Sequence, residues 1–221
     1  MNRIDIFDLD YTLLDADKLK RNCLAAFFDI DEEEFMKNYQ ENFKDQKINY
    51  NIEKHMQGLG WSQEKIVEKM KEFDVWLKQE ISRYLLPGAE RLLKRFKEIG
   101  DKMVLVSFGD KEFQKQKISA LTIDGASAED FFDEIIISDN NKHELEELKC
   151  LRGKNILLVN DKVKELVELS EILGDRCETF LIDGPYARSP EYNLPVNNLK
   201  DLEEKFFPEE KKEIAKELNL K

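Results

Sequence analysis

Five short runs of this chain are apolar almost throughout: Ile4-Asp5-Ile6-Phe7, Met103-Val104-Leu105-Val106, Glu134-Ile135-Ile136-Ile137, Ile156-Leu157-Leu158-Val159 and Thr179-Phe180-Leu181-Ile182. A strand with one solvated face alternates apolar and polar residues. Runs that do not alternate describe strands covered on both faces. Between the later runs lie stretches of helical period. Leu92, Phe96 and Ile99 share a face that Gly100 closes, and further helices are expected over Phe113 to Leu121, Lys142 to Leu151 and Val163 to Leu173. Strands that alternate with helices place a parallel sheet between helical layers, so the fold class is α/β.

The first strand is separated from the rest by a long helical block. Leu19, Cys23 and Phe27 keep helical spacing, as do Phe35, Tyr39 and Phe43, and then Ile66, Met70, Phe73, Leu77 and Ile81. Ser62 is the expected N-cap of the last of these, and Pro87-Gly88 punctuates the end of the block. The expected organisation is a core made of residues 1–14 and 87–207, a helical insertion over 15–86, and a charged helical tail over 208–221 that starts at Pro208. At 221 residues the chain is long enough for one large domain with an insertion.

Charge and cysteine usage narrow the function classes. Against 35 Lys and Arg stand 47 Asp and Glu, a net charge of −12, which gives no basic surface for nucleic acid or an anionic membrane. No apolar run reaches membrane-spanning length, and the first residues lack the pattern of a secretory signal. Cys23, Cys150 and Cys177 are odd in number and far apart, which fits a reducing cytoplasm better than a disulfide framework or a zinc site. His55 and His143 are the only histidines, and no GxxxxGK[ST] phosphate loop is present.

Ligands of open parallel sheets bind beyond the carboxyl ends of the strands. In this chain the first run ends in Asp8 and Asp10, then Thr12. The second ends in Ser107, the third in Ser138-Asp139 with Lys142 shortly after, and the fourth in Asn160-Asp161. Aspartate is disfavoured in strands and costly to bury unpaired. Carboxylates, a hydroxyl and an ammonium gathered at successive strand ends therefore point to chemistry rather than to turn capping.

The segment Asp8-Leu9-Asp10-Tyr11-Thr12 closely resembles the first motif, DxDx[TV], of the haloacid dehalogenase-like (HAD) superfamily. Val104-Leu105-Val106-Ser107 is similar to its second motif, Lys142 to its third, and Val159-Asn160-Asp161 to its fourth, in the same order along the chain. The resemblance implies a Rossmann-like core with a helical cap at 15–86, hinged near Leu14-Asp15 and Leu86-Gly88. It implies a Mg²⁺-dependent hydrolase of small phosphorylated metabolites. Asp8 would be the nucleophile that forms an aspartyl-phosphate, and Asp10 the general acid and base. Ser107 and Lys142 would hold the phosphoryl oxygens, Mg²⁺ would bind Asp8, the backbone carbonyl of Asp10, and Asp161, and Thr12 would orient the loop. Asp10 argues against dehalogenation, because a halide leaving group needs no acid.

The fourth motif departs from the family pattern. Asn160 replaces its usual glycine, and Glu165 is the only acid at a suitable distance beyond it, either supporting the metal through water or lying on an ordinary helical surface. Among the lysines, Lys142 has a better topological position than Lys111, Lys115 and Lys117, which are expected to be solvated. Asp139 is expected to cap the Lys142 helix, His143 and His55 to lie on helix surfaces, and Trp61 and Trp76 to pack in the cap. A phosphomutase, in which the aspartyl-phosphate returns its phosphoryl group to a substrate hydroxyl, is the enzymatic alternative. A catalytically weak HAD-fold binding protein is the other. Oligomeric state is open on this reading, including a dimer through the cap or the tail.

Overall fold

The computed structural model describes residues 3–139 and 146–208. Its centre is a six-stranded, wholly parallel sheet in the order β5-β2-β1-β6-β7-β8. The strands are β1 (Ile4–Phe7), β2 (Lys102–Phe108), β5 (Glu134–Ser138), β6 (Ile156–Asn160), β7 (Cys177–Ile182) and β8 (Val196–Asn197). A separate antiparallel hairpin pairs β3 (Thr122–Ile123) with β4 (Ala126–Ser127). This is the Rossmann-like core with a helical insertion that the apolar runs and the first motif imply.

Alternation along β1 divides the core into two layers. Phe7 faces the helices Ala89–Glu98 and Lys111–Ala120, in a cluster with Leu92, Phe96, Phe113 and Ile118. Ile6 faces the helix Val163–Leu173 through Val163, Leu166 and Leu169. A helix without an equivalent in the sequence reading, Leu199–Phe206, begins at a capping box of Asn198 and Asp201, and its Phe206 meets Phe96 edge-on.

β1 lies in the middle of the sheet, with Phe7 level with Leu105 of β2 and Val159 of β6. The carboxyl ends of these three strands therefore open side by side. The chain leaves β1 for a helical insertion whose main helices are Glu32–Tyr39, Ile52–Gly58 and Gln63–Glu80. Two of its turns, Leu19–Leu24 and Gln40–Lys44, are π-helical. Ser62 caps the longest helix, its hydroxyl accepting the Lys65 N–H at 3.3 Å.

The insertion enters and leaves through a single ribbon. The Asp15 N–H donates to Tyr84 O at 2.8 Å, the Leu86 N–H donates to Leu13 O at 2.8 Å, and Leu14 bridges Leu85 between them.

His55 corrects an expectation. It is not on a helix surface but wholly buried among Phe28, Phe35, Phe43 and Tyr50, with its Nδ1 3.1 Å from the Tyr50 hydroxyl. Among the described residues its Nε2 has no hydrogen-bond partner, and burial pushes the imidazole down to about 4. Trp61 and Trp76 pack against the same core, partly buried. Lys142, His143 and residues 209–221 of the expected tail helix lie outside the described residues. No helix among the described residues is long and apolar enough to cross a membrane.

Candidate active site

The chain turns sharply where β1 ends. The Asp8 N–H still donates to Val159 O at 3.0 Å, as a continuation of the ladder. Tyr11 then takes a left-handed φ of 63°, which is costly for a bulky residue, and its N–H donates to Leu14 O at 2.7 Å. This tight reversal leaves Asp8 and Asp10 at the strand end and brings Thr12 back beneath them. The buried Thr12 hydroxyl donates to Asp8 Oδ2 at 3.3 Å and accepts the Asp161 N–H at 3.0 Å. One hydroxyl thus ties the loop after β1 to the loop after β6, joining the Asp8 carboxylate to the main chain of Asp161.

Asp10 faces a different partner from the one expected. Lys117 Nζ reaches both of its carboxylate oxygens at 2.6 Å, and the Lys117 side chain is only 3% exposed. Gln114 Nε2 adds a hydrogen bond to Asp10 Oδ2 at 3.1 Å. Burial works against the charge on Asp10. The ammonium groups of Lys117 and Lys20, with the hydrogen bonds from Lys117 and Gln114, outweigh it and hold the carboxyl below its usual range. Lys117 is therefore not a solvated lysine but part of the site. The Ser107 hydroxyl is buried and donates to Gln114 Oε1 at 3.0 Å, so Ser107 reaches Asp10 through Gln114. Gly109 makes room for this amide: its φ is 142°, and a Cβ there would lie 2.7 Å from Gln114 Nε2.

The sequence reading passed over Gln114 and favoured Lys142 over Lys117. A signal for both was present. On the helix Lys111–Ala120, Gln114 and Lys117 share the buried side with Phe113 and Ile118, and polar groups on a buried helix face need partners.

Beyond β6, the Asn160 side chain accepts the Lys162 N–H at 2.9 Å and donates to Glu165 Oε2 at 3.3 Å. Glu165 also accepts from Lys162 Nζ at 2.9 Å. Burial disfavours the Lys162 charge, but the carboxylates of Glu165, Asp8 and Asp161 outweigh it and hold the ammonium above its usual range. Glu165 thus acts on the site by positioning Lys162 and Asn160. Asp139 accepts the N–H of Lys111, at the start of the Lys111–Ala120 helix, at 3.1 Å.

No group of three or more His, Cys, Asp and Glu side chains among the described residues is placed to hold a metal. The donor set the resemblance implies contains only two side chains, Asp8 and Asp161, with the Asp10 carbonyl as third. These are hard oxygen donors of the kind Mg²⁺ takes; both aspartates are buried, and the Thr12 hydroxyl links the Asp8 carboxylate to the Asp161 main chain. The backbone of Gly184 lies against the second of them: a Cβ there would sit 2.9 Å from Asp161 Cβ and 3.0 Å from Oδ2. The residues present fit the ion.

Part of this arrangement borders a cavity of about 220 Å³ between the strand ends and the inserted helices, with Thr12, Ser107 and Asp161 outside its lining. Asp8, Asp10, Gln114, Lys117 and Lys162 line its floor. Lys20, Tyr39, Lys44 and Tyr50 line it from the insertion, and Tyr186 from the loop after β7. A buried carboxylate beside a lysine-paired second carboxylate can serve as a nucleophile next to a proton carrier.

A family model described as "Haloacid dehalogenase-like hydrolase" matches residues 6–156. No curated protein sequence matches. Among solved structures, a Burkholderia xenovorans LB400 protein described as a haloacid dehalogenase-like hydrolase superposes with a TM-score of 0.66 at 20% identity, over 91% of this chain and 94% of the other. The L-2-haloacid dehalogenase of Xanthobacter autotrophicus, with chloropropionic acid covalently bound, gives 0.58 at 13% identity, over 91% and 97%. The HAD-hydrolase YfnB of Bacillus subtilis, bound to magnesium, gives 0.57 at 16% identity, over 91% and 97%. At these identities the likeness is one of fold.

Proposed function

This chain belongs to the haloacid dehalogenase-like hydrolases, and from that premise we propose that it is a Mg²⁺-dependent phosphomonoester hydrolase of small metabolites that works through an aspartyl-phosphate. The observation that carries the reading is the pairing of two carboxylates at one strand end: Asp8, tied to Asp161 through Thr12, and Asp10, clasped by Lys117. A hydrolase that displaces halide needs the first carboxylate only. A phosphomonoester releases an alkoxide, which needs a proton, and Asp10 is placed to carry one.

Asp8 attacks phosphorus, and the bond to the ester oxygen breaks. Lys117 links this step to the protonation of Asp10. An incoming phosphoryl group competes with Asp10 for the Lys117 ammonium. Once Lys117 turns to the phosphoryl oxygens, Asp10 loses two short charge-assisted hydrogen bonds and burial drives its pKa up. It then holds the proton that goes to the leaving oxygen. In the second half Asp10 takes a proton from water as that water attacks phosphorus. The Asp8–phosphorus bond breaks and inorganic phosphate leaves. Mg²⁺ bound by Asp8, Asp161 and the Asp10 carbonyl would supply positive charge against the repulsion between carboxylate and phosphoryl group. Lys142 would join Lys117 on the phosphoryl oxygens, and Ser107 would fix Gln114 while Lys117 moves.

The test is release of p-nitrophenol and of inorganic phosphate, from p-nitrophenyl phosphate and a panel of phosphorylated metabolites, with Mg²⁺, with EDTA and with Asp8→Asn. Metal-dependent release that Asp8→Asn abolishes is expected. Wild-type protein that releases phosphate from no member of the panel, or an Asp8→Asn variant as active as wild type, would overturn the reading.

A further inference from the structure

Five lysines, Lys20, Lys44, Lys47, Lys117 and Lys162, line the cavity against three aspartates, Asp8, Asp10 and Asp110. The chain as a whole carries a net charge of −12, so this local excess of positive charge runs against its composition. Two of the five have carboxylate partners, Lys117 with Asp10 and Lys162 with Glu165. The cap lysines are different. Among the described residues the hydrogen bonds of Lys20 and Lys44 go to phenols, while the charge of Lys20 also acts on Asp10. Lys20 Nζ donates to the Tyr11 hydroxyl at 3.3 Å and stands 5.0 Å from the Tyr39 ring centre. Lys44 Nζ donates to the Tyr186 hydroxyl at 2.6 Å, across the mouth of the cavity.

We propose that the substrate carries a second anionic group besides its phosphoryl ester, and that Lys20 and Lys44 bind that group; this rests on the phosphomonoesterase reading above. An ammonium has three N–H donors, and one phenol takes only one of them. Lys20 is half-buried and Lys44 exposed at the cavity, and an anion there, a carboxylate or a second phosphate, would replace water on their remaining donors with charge-assisted hydrogen bonds. Burial pushes the Lys20 ammonium down to about 8 against the pull of Asp10, so a charged Lys20 gains from an anion beside it. Both lysines come from the inserted helices, whereas the reacting carboxylates come from the core. The anion site is therefore built by the cap, beside the core carboxylates.

The test uses the full chain carrying Asp8→Asn, so that ligands bind without turnover, titrated calorimetrically in the presence of Mg²⁺. The ligands are 2-phosphoglycolate, ethylene glycol bisphosphate and ethyl phosphate, which share one phosphoryl-oxymethylene unit and carry beyond it a carboxylate, a phosphooxymethyl group or a methyl group. Either double anion is expected to bind about 30-fold tighter than ethyl phosphate, and which one does so identifies the second group. Lys20→Met and Lys44→Met are each expected to lower that ratio about tenfold, with Lys20→Arg keeping most of it. A ratio near one, a ratio unmoved by both Met variants, or no binding of either double anion at millimolar concentration overturns the proposal. Turnover by wild-type protein without such a ratio leaves the hydrolase reading standing and removes this one. A strong ratio without turnover removes the hydrolase reading alone.

Discussion

The Lys117–Asp10 pair can be tested without knowing the substrate, through a double-mutant cycle of Lys117→Met, Asp10→Asn and the combined variant. Two contacts of 2.6 Å join the pair, and the side chains are 3% and 24% exposed. Removing one partner of a fully buried pair costs about 3–5 kcal/mol, because the other charge is left unpaired. Asp10 retains Gln114 and some solvent, so Lys117→Met is expected to cost about 2 kcal/mol. Asp10→Asn strands the deeper lysine and is expected to cost about 3 kcal/mol. The double variant should cost less than the sum, leaving a coupling of about 2 kcal/mol in urea unfolding at pH 7. The pH dependence provides a second check. A depressed carboxyl pKa adds stability that is present above the unfolded value and is lost as pH falls through the folded one. The gap between wild type and Lys117→Met should therefore narrow below about pH 4. A coupling under about 0.5 kcal/mol, as for an exposed ion pair, would refute the buried clasp and the release of Asp10 built on it.

Three further outcomes are expected. Thr12→Val removes the acceptor of the buried Asp161 N–H; it should cost about 1–3 kcal/mol in urea unfolding and weaken Mg²⁺ binding about tenfold by calorimetry. Gly184→Ala brings a methyl group to within 2.9 Å of the Asp161 Cβ, so Mg²⁺-dependent activity should fall at least about tenfold with circular dichroism unchanged. Asp5 and His55 titrate against each other. Burial raises Asp5 from 3.8 to about 7 in spite of Arg3, so its contribution to stability falls by about 4 kcal/mol as pH rises between those values. Burial lowers His55 from 6.5 to about 4, so its contribution rises by about 3 kcal/mol as pH rises from 4 to 6.5. Relative to wild type, Asp5→Asn should gain and His55→Phe should lose stability as pH rises from about 4 to 6.5, and profiles parallel to wild type in both would count against both assignments.

The parallel sheet was legible because its strands are buried on both faces, which leaves Met103–Val106 and Ile156–Val159 no polar alternation to obscure them. The order of the strands was not, since pairing between β1 and β6 is invisible until the chain is folded. Asp8, Asp10, Thr12 and Asp161 were legible for a local reason: polar residues directly after apolar runs mark the strand ends. Lys117 and Gln114 required knowing which side of their helix is covered. His55 required its aromatic cage, assembled from Phe28, Phe35 and Phe43, which are 12 to 27 residues away in the chain. The β3–β4 hairpin did carry a local sign. Asp124-Gly125 stands at its turn with both φ angles positive, as a two-residue type I′ turn requires. The π-helical turns at Leu19–Leu24 and Gln40–Lys44 carry no periodicity signal short enough to detect in helices of this length.

The Leu13–Asp15 and Tyr84–Leu86 ribbon makes the long insertion topologically equivalent to a hairpin turn. The sheet meets two adjacent chain ends held by three main-chain contacts, and beyond them the inserted helices pack on the core, where Phe73 and Tyr50 meet Phe113 of the helix Lys111–Ala120. Closure entropy grows only with the logarithm of loop length, so residues added to or removed from the insertion change little at its root. The root of the insertion is thus insensitive to the insertion's length, while its helices bear on the helix Lys111–Ala120, whose Gln114 and Lys117 hold Asp10, so a change in the packed face of the insertion reaches the carboxylate at the end of β1.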